Sequence, residues 1–309
     1  MNTEVLKNGW RHELANHSLP EVYGSIKVPT TGSFWRKLFA FTGPGLMVAV
    51  GYMDPGNWAT DIAGGAQFGY ALLSVILISN LFAMLLQHLS LKLGIVTGRD
   101  LAQACRDHFS KPVAMVLWVL CEIAIAACDL AEVIGSAIAL NLLFGIPLTV
   151  GVIITALDVL IILYFQSKGF RIIESIVAGL IGIIFLCFAY EIAVSQPAIM
   201  AIMGGLLPQP QIVSNPAMLY IAIGILGATV MPHNLYLHSS IVQTRNYDKT
   251  DAGKRHAIKY ATIDSTASLL LAFFVNAAIL ILAATAFHGT PHESVADISD
   301  AYHLLDPLL

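Results

Sequence analysis

The chain has 309 residues, of which 57% are hydrophobic and 12% charged, and its formal net charge is −4. Soluble domains carry roughly 25% charged residues, so this composition excludes an ordinary water-soluble globular protein. A chain this apolar needs lipid as its solvent. Its cysteines show no CxxC spacing, which indicates neither a disulfide framework nor a zinc site. They are Cys105, Cys121, Cys128 and Cys187.

Residues 1–33 are polar and lack an apolar stretch, so we predict a flexible N-terminal tail without a signal peptide. A membrane-spanning helix needs about 20 apolar residues. Seven segments of the remaining chain meet this requirement: residues 34–68, 70–95, 112–144, 147–165, 172–194, 217–242 and 257–287. The sequence therefore predicts an all-α, polytopic membrane bundle.

The basic residues predict how the bundle is oriented. All 16 Lys and Arg residues fall in the tail or around the loops after the second, fourth and sixth segments, and the other loops contain none. Because cytosolic loops carry the excess of Lys and Arg, we predict a multi-pass protein of the cell membrane with a cytosolic N-terminus. The chain ends soon after the seventh segment on the outer side, so we expect it to be C-terminally incomplete.

Two of the predicted spans are interrupted in their middle. The first contains Asp-Pro-Gly-Asn at 54–57, and the sixth contains Met-Pro-His at 231–233. Pro lacks an N–H, Gly is costly in a helix, and Asp and Asn compete for backbone hydrogen bonds. In a soluble protein such residues form surface turns, but apolar flanks favour an unwound stretch that lines a cavity.

Paired breaks in two halves are typical of inverted-repeat transporters that bind their substrate at mid-membrane. We therefore predict that residues 34–194 form a first five-helix repeat and that residues 217–309 begin an incomplete second one. Residues 195–216 are predicted to form an external loop between the two.

The residues at the breaks predict a cation site. Asp54 offers a carboxylate, Asn57 a carbonyl oxygen, Ala228 a backbone carbonyl, and Met231 a thioether. Hard ions such as Mg²⁺ and Ca²⁺ take oxygen ligands, whereas a thioether favours softer transition metals such as Mn²⁺ and Fe²⁺. Two alternatives stay open: Met231 serves only packing, or the scaffold carries Mg²⁺ or a Na⁺-coupled substrate.

Four other residues are candidates for proton transfer. Glu122, Asp129 and Glu132 share one face of the third span, because their spacings are seven and three. Acids inside a membrane without local counter-ions indicate a hydrated or proton-bearing face. His233 is next to the second break, and histidine exchanges protons near neutral pH. Further polar residues within the spans either line the pathway or only pack, and we favour packing; they are Asp61, Asp158 and Asn276.

Three runs of sequence, GYMDPGNWATD, ACDLAEVIGSAIAL and GATVMPHNLYLHSS, resemble the natural resistance-associated macrophage protein (Nramp) family. The resemblance covers residues 34–288 and implies a LeuT-type inverted repeat with discontinuous helices one and six. It implies uptake of Mn²⁺, and of Fe²⁺, Cd²⁺ and Co²⁺, by proton symport. The implied metal ligands are Asp54, Asn57, the Ala228 carbonyl and Met231. The implied proton-transfer groups are Asp54, His233, Asp129 and Glu132.

Other classes of function are weighed against this one. His233 and His238 are five residues apart, which does not match HExxH, and no GxGD-type aspartate pair is present, so we do not expect an enzyme. A metal receptor that does not transport stays open. We expect no cofactor other than the transported ion, no nucleic-acid partner, and lipid as the surrounding medium. The oligomeric state is left open.

Overall fold

The computed structural model of the protein describes Leu19, residues 23–29 and residues 31–305, apart from the side chains of residues 166, 167 and 305. In these residues the regular structure is helical, except for two strands, β1 (Ile26–Lys27) and β2 (Arg245–Asn246), and a 3₁₀ turn at Val242–Thr244. The helices are α1 (Phe34–Phe41), α2 (Pro44–Gly51), α3 (Pro55–Phe68), α4 (Leu73–Thr97), α5 (Leu101–His108), α6 (Lys111–Phe144), α7 (Leu148–Lys168), α8 (Phe170–Ser195), α9 (Ile199–Gly205), α10 (Gln211–Ser214), α11 (Pro216–Thr229), α12 (Pro232–Ile241), α13 (Asp251–Phe287) and α14 (Ile298–Leu305).

Six helical segments in the described part of the chain are long and apolar enough to cross a membrane. They are Leu73–Thr97, Lys111–Phe144, Leu148–Phe165, Phe170–Ser195, Pro216–Thr244 and Asp251–Phe287. The first predicted span is not among them because its halves, α2 and α3, have only 8 and 14 residues. Both predicted interruptions are therefore present as breaks between short helices.

Prolines start the helices that form the two broken spans. Pro44, Pro55, Pro216 and Pro232 are the first residues of α2, α3, α11 and α12. The first position of a helix suits proline because its missing N–H would have no partner there and its φ angle is already helical. The same residues cannot continue a preceding helix, so each of the two central prolines ends one half and begins the next.

The exposed surface of α6, α7 and α8 is mainly apolar, apart from a few acidic residues such as Asp129 and Asp158. Ile123, Leu130, Leu160 and Leu186 are among the large hydrophobic side chains that these helices expose. Such a continuous apolar surface is unfavourable in water but suits the hydrocarbon core of a bilayer. The protein is therefore a multi-pass membrane protein.

Helix α13 forms the centre of the packing. It has 37 residues and contacts α2, α3, α4 and α8. Small residues allow this close approach: a Cβ at Gly65 of α3 would overlap the Leu280 carbonyl of α13, and one at Gly45 of α2 would lie 2.7 Å from the backbone N of Ser265. Small residues at helix interfaces are the usual means by which membrane helices pack closely.

The start of α2 is capped by α13. The Asp264 carboxylate accepts hydrogen bonds from the backbone N–H of Gly45, at 2.8 Å, and of Gly43, at 3.4 Å. A carboxylate at a helix N-terminus satisfies free N–H groups and is favoured by the helix dipole. Asp264 therefore fixes the entry of the chain into the first broken span.

A buried ion pair fixes the segment that precedes α2. Arg245 of β2 is 0% exposed, lies 2.6 Å from Glu174 of α8, and donates to the Thr42 carbonyl at 2.8 Å. The sequence alone places Arg245 only in a predicted cytosolic loop. Its burial follows from this pairing, because a buried charge requires a partner.

Three segments differ from the predicted organisation. The loop predicted at 195–216 contains α9 and α10, and α13 begins at Asp251 rather than at 257. In the predicted tail, Ile26–Lys27 pairs in parallel with Arg245–Asn246. The remainder of the tail prediction, residues 1–18, 20–22 and 30, lies outside the described residues.

Candidate ion-binding site

The first break brings a carboxylate and an amide into the interior. Asp54 is the N-cap of α3, and its Oδ1 accepts the backbone N–H of Asn57 at 2.9 Å. Asp and Asn are favoured at helix starts because their oxygens replace missing backbone partners. Asp54 is 9% exposed and Asn57 is 1% exposed. The Tyr52 carbonyl, freed by the break, accepts from Asn276 Nδ2 at 2.8 Å, so Asn276 has a structural partner.

The second break supplies a carbonyl and a thioether. Helix α11 ends at Thr229, and Met231 is the N-cap of α12 with an extended backbone. Pro232 cannot donate to a carbonyl one turn earlier, so the Ala228 oxygen is free to turn to the interior. That oxygen accepts from Asn57 Nδ2 at 3.1 Å, which joins the two breaks directly.

The four predicted ligand residues therefore lie together. Asn57 Nδ2 contacts Asp54 Oδ1 at 2.6 Å and the Ala228 oxygen at 3.1 Å. Cys128 of α6 links Met231 to Asp54: its Sγ lies 3.9 Å from Asp54 Oδ2 and 4.0 Å from Met231 Sδ. Met231 is 5% exposed, so its thioether belongs to the interior of the site.

Cys128 is the residue that the sequence analysis missed. It was set aside because no second cysteine lies at metal-ligand spacing. A usable signal was present, since Cys128 precedes Asp129 and lies one helical turn before Glu132, on the face already assigned to the pathway. Its thiol adds a second sulfur to the site.

The donor set differs from that of ordinary protein metal sites. In the described part of the chain, no three His, Cys, Asp or Glu side chains converge in an arrangement that could hold a metal ion. The candidate site instead combines a carboxylate, an amide, a backbone carbonyl and a thioether. Mixed oxygen and sulfur donors suit a divalent transition metal better than Mg²⁺ or Ca²⁺.

Three of the predicted proton-transfer residues surround this site. His233 lies in the first turn of α12, and its buried Nδ1 has no hydrogen-bond partner among the described residues. It interacts electrostatically with Asp54 and Asp129, and Glu132 does the same. Asp129 and Glu132 lie on the exposed surface of α6. Glu122 is also exposed there, but it lies about 10 Å further along the helix and is not brought to the breaks.

Other polar residues of the spans have separate roles. His238 is fully buried, and its Nδ1 lies 2.9 Å from Gln87 Oε1; Gln87 in turn donates to the Tyr52 hydroxyl at 3.0 Å. Asp158 is exposed on α7. Asp61 is buried, and neither of its carboxylate oxygens has a hydrogen-bond partner in the described residues.

Known proteins resemble the whole described chain. The family model named Natural resistance-associated macrophage protein-like (Nramp) matches residues 45–309. The divalent metal cation transporter MntH of Listeria innocua is 64% identical over 307 residues, which are 99% of this chain and 68% of that protein. MntH of Mesorhizobium japonicum is 63% identical and covers 97% of this chain and 66% of its own length. This chain therefore spans about two thirds of the length of these relatives.

Solved structures agree with this match. The manganese transporter of Eremococcus coleocola, crystallised in complex with an aromatic bis-isothiourea substituted compound, superposes with a TM-score of 0.81 at 47% identity. The alignment covers 88% of this chain and 56% of that one. A point mutant of the same transporter gives the same values. The all-α membrane fold of LeuT type, with discontinuous helices one and six, is therefore confirmed.

The relatives are named as transporters and not as enzymes, in agreement with the missing protease motifs. The family model covers most of the chain, and the curated relatives exceed 60% identity. The resemblance that the three sequence runs indicated is thus confirmed, and this chain belongs to the Nramp family.

Proposed function

We propose that this chain carries the ion-binding site of a secondary-active importer of divalent transition-metal ions, which takes up Mn²⁺ and also Fe²⁺ by proton symport. The observation that carries the proposal is the meeting of the Asp54 carboxylate, the Asn57 amide, the Ala228 carbonyl and the Met231 thioether between two broken helices. The names of the Listeria and Eremococcus relatives support the same substrate class.

The half-helices favour a cation between them. The carbonyl ends of α2 and α11 lie at the breaks, at Gly51 and Thr229. A helix C-terminus carries a partial negative charge of roughly half an electron, so two of them stabilise a positive ion at the same place. The Asp54 carboxylate adds a full charge, which would be unfavourable inside a membrane without a cation or a proton.

Proton coupling is supported by the residues around the ion. His233 and Glu132 each interact electrostatically with Asp54 and Asp129, and Asp129 and Glu132 are exposed on α6. Acidic side chains on a membrane helix without local counter-ions indicate a hydrated or proton-bearing face, along which a proton can leave the ion site. We propose that protons pass between Asp54 and this surface during import, and that Glu122 receives them further along α6.

The orientation is proposed from the distribution of basic residues. All 16 Lys and Arg residues lie in the tail or around alternate loops, which corresponds to a cytosolic N-terminus in the cell membrane. A cysteine-labelling experiment with a membrane-impermeant reagent on intact cells, at a cysteine introduced in the 195–216 loop, tests this orientation. Labelling from outside supports it, and labelling only after permeabilisation contradicts it.

Uptake of Mn²⁺ into proteoliposomes that contain the protein tests the function. We expect Mn²⁺ to accumulate, faster at acidic than at neutral outer pH, and Fe²⁺ to compete. Met231→Ala is expected to become sensitive to excess Ca²⁺ because the thioether no longer selects against hard ions. Met200→Ala is the matched control, because Met200 is 85% exposed on α9.

Three results would contradict parts of this proposal. Binding of Mn²⁺ without accumulation would indicate a receptor. Accumulation that does not respond to outer pH would exclude proton symport. Uptake of Mg²⁺ in preference to Mn²⁺ by the unaltered protein would exclude selection by Met231.

A further inference from the structure

We infer that Thr229 is a positioning residue that orients the side-chain amide of Asn57 and thereby sets the affinity of the site for its divalent ion. This inference rests on the proposed function, because it concerns the same ion site. Thr229 is the last residue of α11, and its hydroxyl lies 3.3 Å from Asn57 Oδ1. Both side chains are buried, with Asn57 1% and Thr229 2% exposed.

The hydrogen bonds around Asn57 define two sides of its amide. On one side, Nδ2 lies 2.6 Å from Asp54 Oδ1 and 3.1 Å from the Ala228 oxygen. On the other side, Oδ1 lies 3.3 Å from Thr229 Oγ1. The Thr229 hydroxyl also lies 2.7 Å from the Ile225 oxygen, one turn earlier in α11.

The single proton of the Thr229 hydroxyl decides which amide orientation it favours. A hydroxyl donates one hydrogen bond and accepts up to two. The contact with the Ile225 oxygen is the shorter of its two, at 2.7 Å against 3.3 Å, so the proton belongs there. The lone pairs of Oγ1 then face Asn57, and their proper partner is an N–H group rather than Oδ1.

Rotation of the Asn57 amide by half a turn provides that partner. Nδ2 then donates to Thr229, and Oδ1 enters the space between Asp54 Oδ1 and the Ala228 oxygen. Three oxygens converge there, as a divalent cation requires. In the other orientation, Nδ2 bridges the same two oxygens and takes the place of the cation. The amide thus has one orientation in the ion-bound site and the opposite orientation in the ion-free site.

In the ion-bound orientation, the Thr229 hydroxyl accepts from Asn57 Nδ2 while it donates to the Ile225 oxygen. Valine has the same shape but offers neither function. With Thr229→Val, the ion-bound orientation leaves the buried Nδ2 of Asn57 without a partner. An unpartnered buried polar group weakens binding about tenfold or more. The loss of affinity is greatest for ions that depend on oxygen ligands. It is therefore larger for Mn²⁺ than for Cd²⁺, which gains more from the Met231 thioether.

Transport kinetics of the protein in proteoliposomes test this inference. For Thr229→Val we expect the KM for Mn²⁺ to rise about tenfold with the maximal rate retained, and the KM for Cd²⁺ to rise less. Thr229→Ser keeps the hydroxyl and is expected to restore the KM for Mn²⁺. Thr229→Ala, which also lacks the hydroxyl but relieves any packing strain, is expected to behave as Thr229→Val does.

A double-mutant cycle separates orientation of the amide from packing. In an Asn57→Ala background no amide remains to be oriented, so Thr229→Val is expected to add little to the loss of Cd²⁺ affinity. An equal loss in both backgrounds would overturn the inference, as would an unchanged KM in Thr229→Val or a failure of Thr229→Ser to restore it. Absence of Mn²⁺ binding and uptake in the unaltered protein is a different result, which overturns the proposed function itself.

Discussion

Gly65 allows α3, the helix that begins with Asp54 and Asn57, to pack against α13. A Cβ at this position would overlap the Leu280 carbonyl oxygen and would lie 2.8 Å from Ala283 Cβ and 2.9 Å from the Ala284 nitrogen. Ordinary carbon contacts begin near 3.5 Å, so Gly65→Ala requires the two backbones to separate by roughly 1 Å. The obstacle is backbone on a rigid helix, which cannot move aside as a flexible side chain could.

The expected cost follows from two opposing effects. Overpacking of this kind destabilises a protein by about 1–3 kcal/mol. Replacing glycine by alanine inside a helix stabilises it by about 0.5–1 kcal/mol. We therefore expect Gly65→Ala to lower the free energy of unfolding by about 1 kcal/mol, the difference between the midpoints of the two effects. Gly179→Ala is the matched control on α8: a Cβ there meets nothing within 4 Å in the described residues, so only the stabilising effect remains.

Two measurements on the purified variants check this expectation. The unfolding temperature in detergent is expected to fall for Gly65→Ala and to stay level or rise for Gly179→Ala. The affinity for Mn²⁺ is expected to fall in the first variant alone, because a displaced α3 moves Asp54 and Asn57 away from the Ala228 carbonyl. Equal unfolding temperatures and equal Mn²⁺ affinities in the two variants would refute the close-packing argument.

Two further predictions concern residues that the sequence did not assign to the ion site. Cys128→Ala removes the second sulfur of the site, and we expect the affinity for Cd²⁺ to fall by about tenfold relative to that for Mn²⁺. Competition of Cd²⁺ against Mn²⁺ uptake measures this ratio. The same change in Cys187→Ala, at an exposed cysteine, would contradict the prediction. Asp61→Asn replaces a buried carboxylate, which has no hydrogen-bond partner among the described residues, by a neutral group of the same shape. We expect the free energy of unfolding to stay level or to rise by up to about 1 kcal/mol, which is measured as an unchanged or higher unfolding temperature. A clear fall in the unfolding temperature would show that Asp61 has a charged partner.

The breaks could be predicted because their causes are local. Residues 54–57 and 231–233 contain the amino acids that interrupt helices, and their apolar flanks exclude a surface turn. The meeting of Asp54 with Ala228 followed from the repeated position of the breaks in two halves. Each of these steps uses information within one segment or a symmetry between two segments.

The supporting contacts could not be predicted because they join distant parts of the chain. Cys128 and Asp54 are 74 residues apart, Thr229 and Asn57 are 172 apart, and Asp264 and Gly43 are 221 apart. Neither composition nor periodicity specifies which faces of two helices meet. Asp264 in particular lies within a predicted span, and nothing in its own segment indicates that it meets the N-terminus of another helix.

The two broken spans divide the ion ligands between them. Helix α13 holds both halves of the first broken span, through Asp264 at the start of α2 and through the glycine contact with α3. The second broken span, α11 and α12, packs against α3 and α4 and shares hydrophobic clusters with α13. Asp54 and Asn57 therefore belong to one span, and Ala228 and Met231 to the other. An ion bound between them links the two spans, and a relative displacement of the spans removes half of the ligands at once. We expect release of the ion and movement of the helices to be a single event.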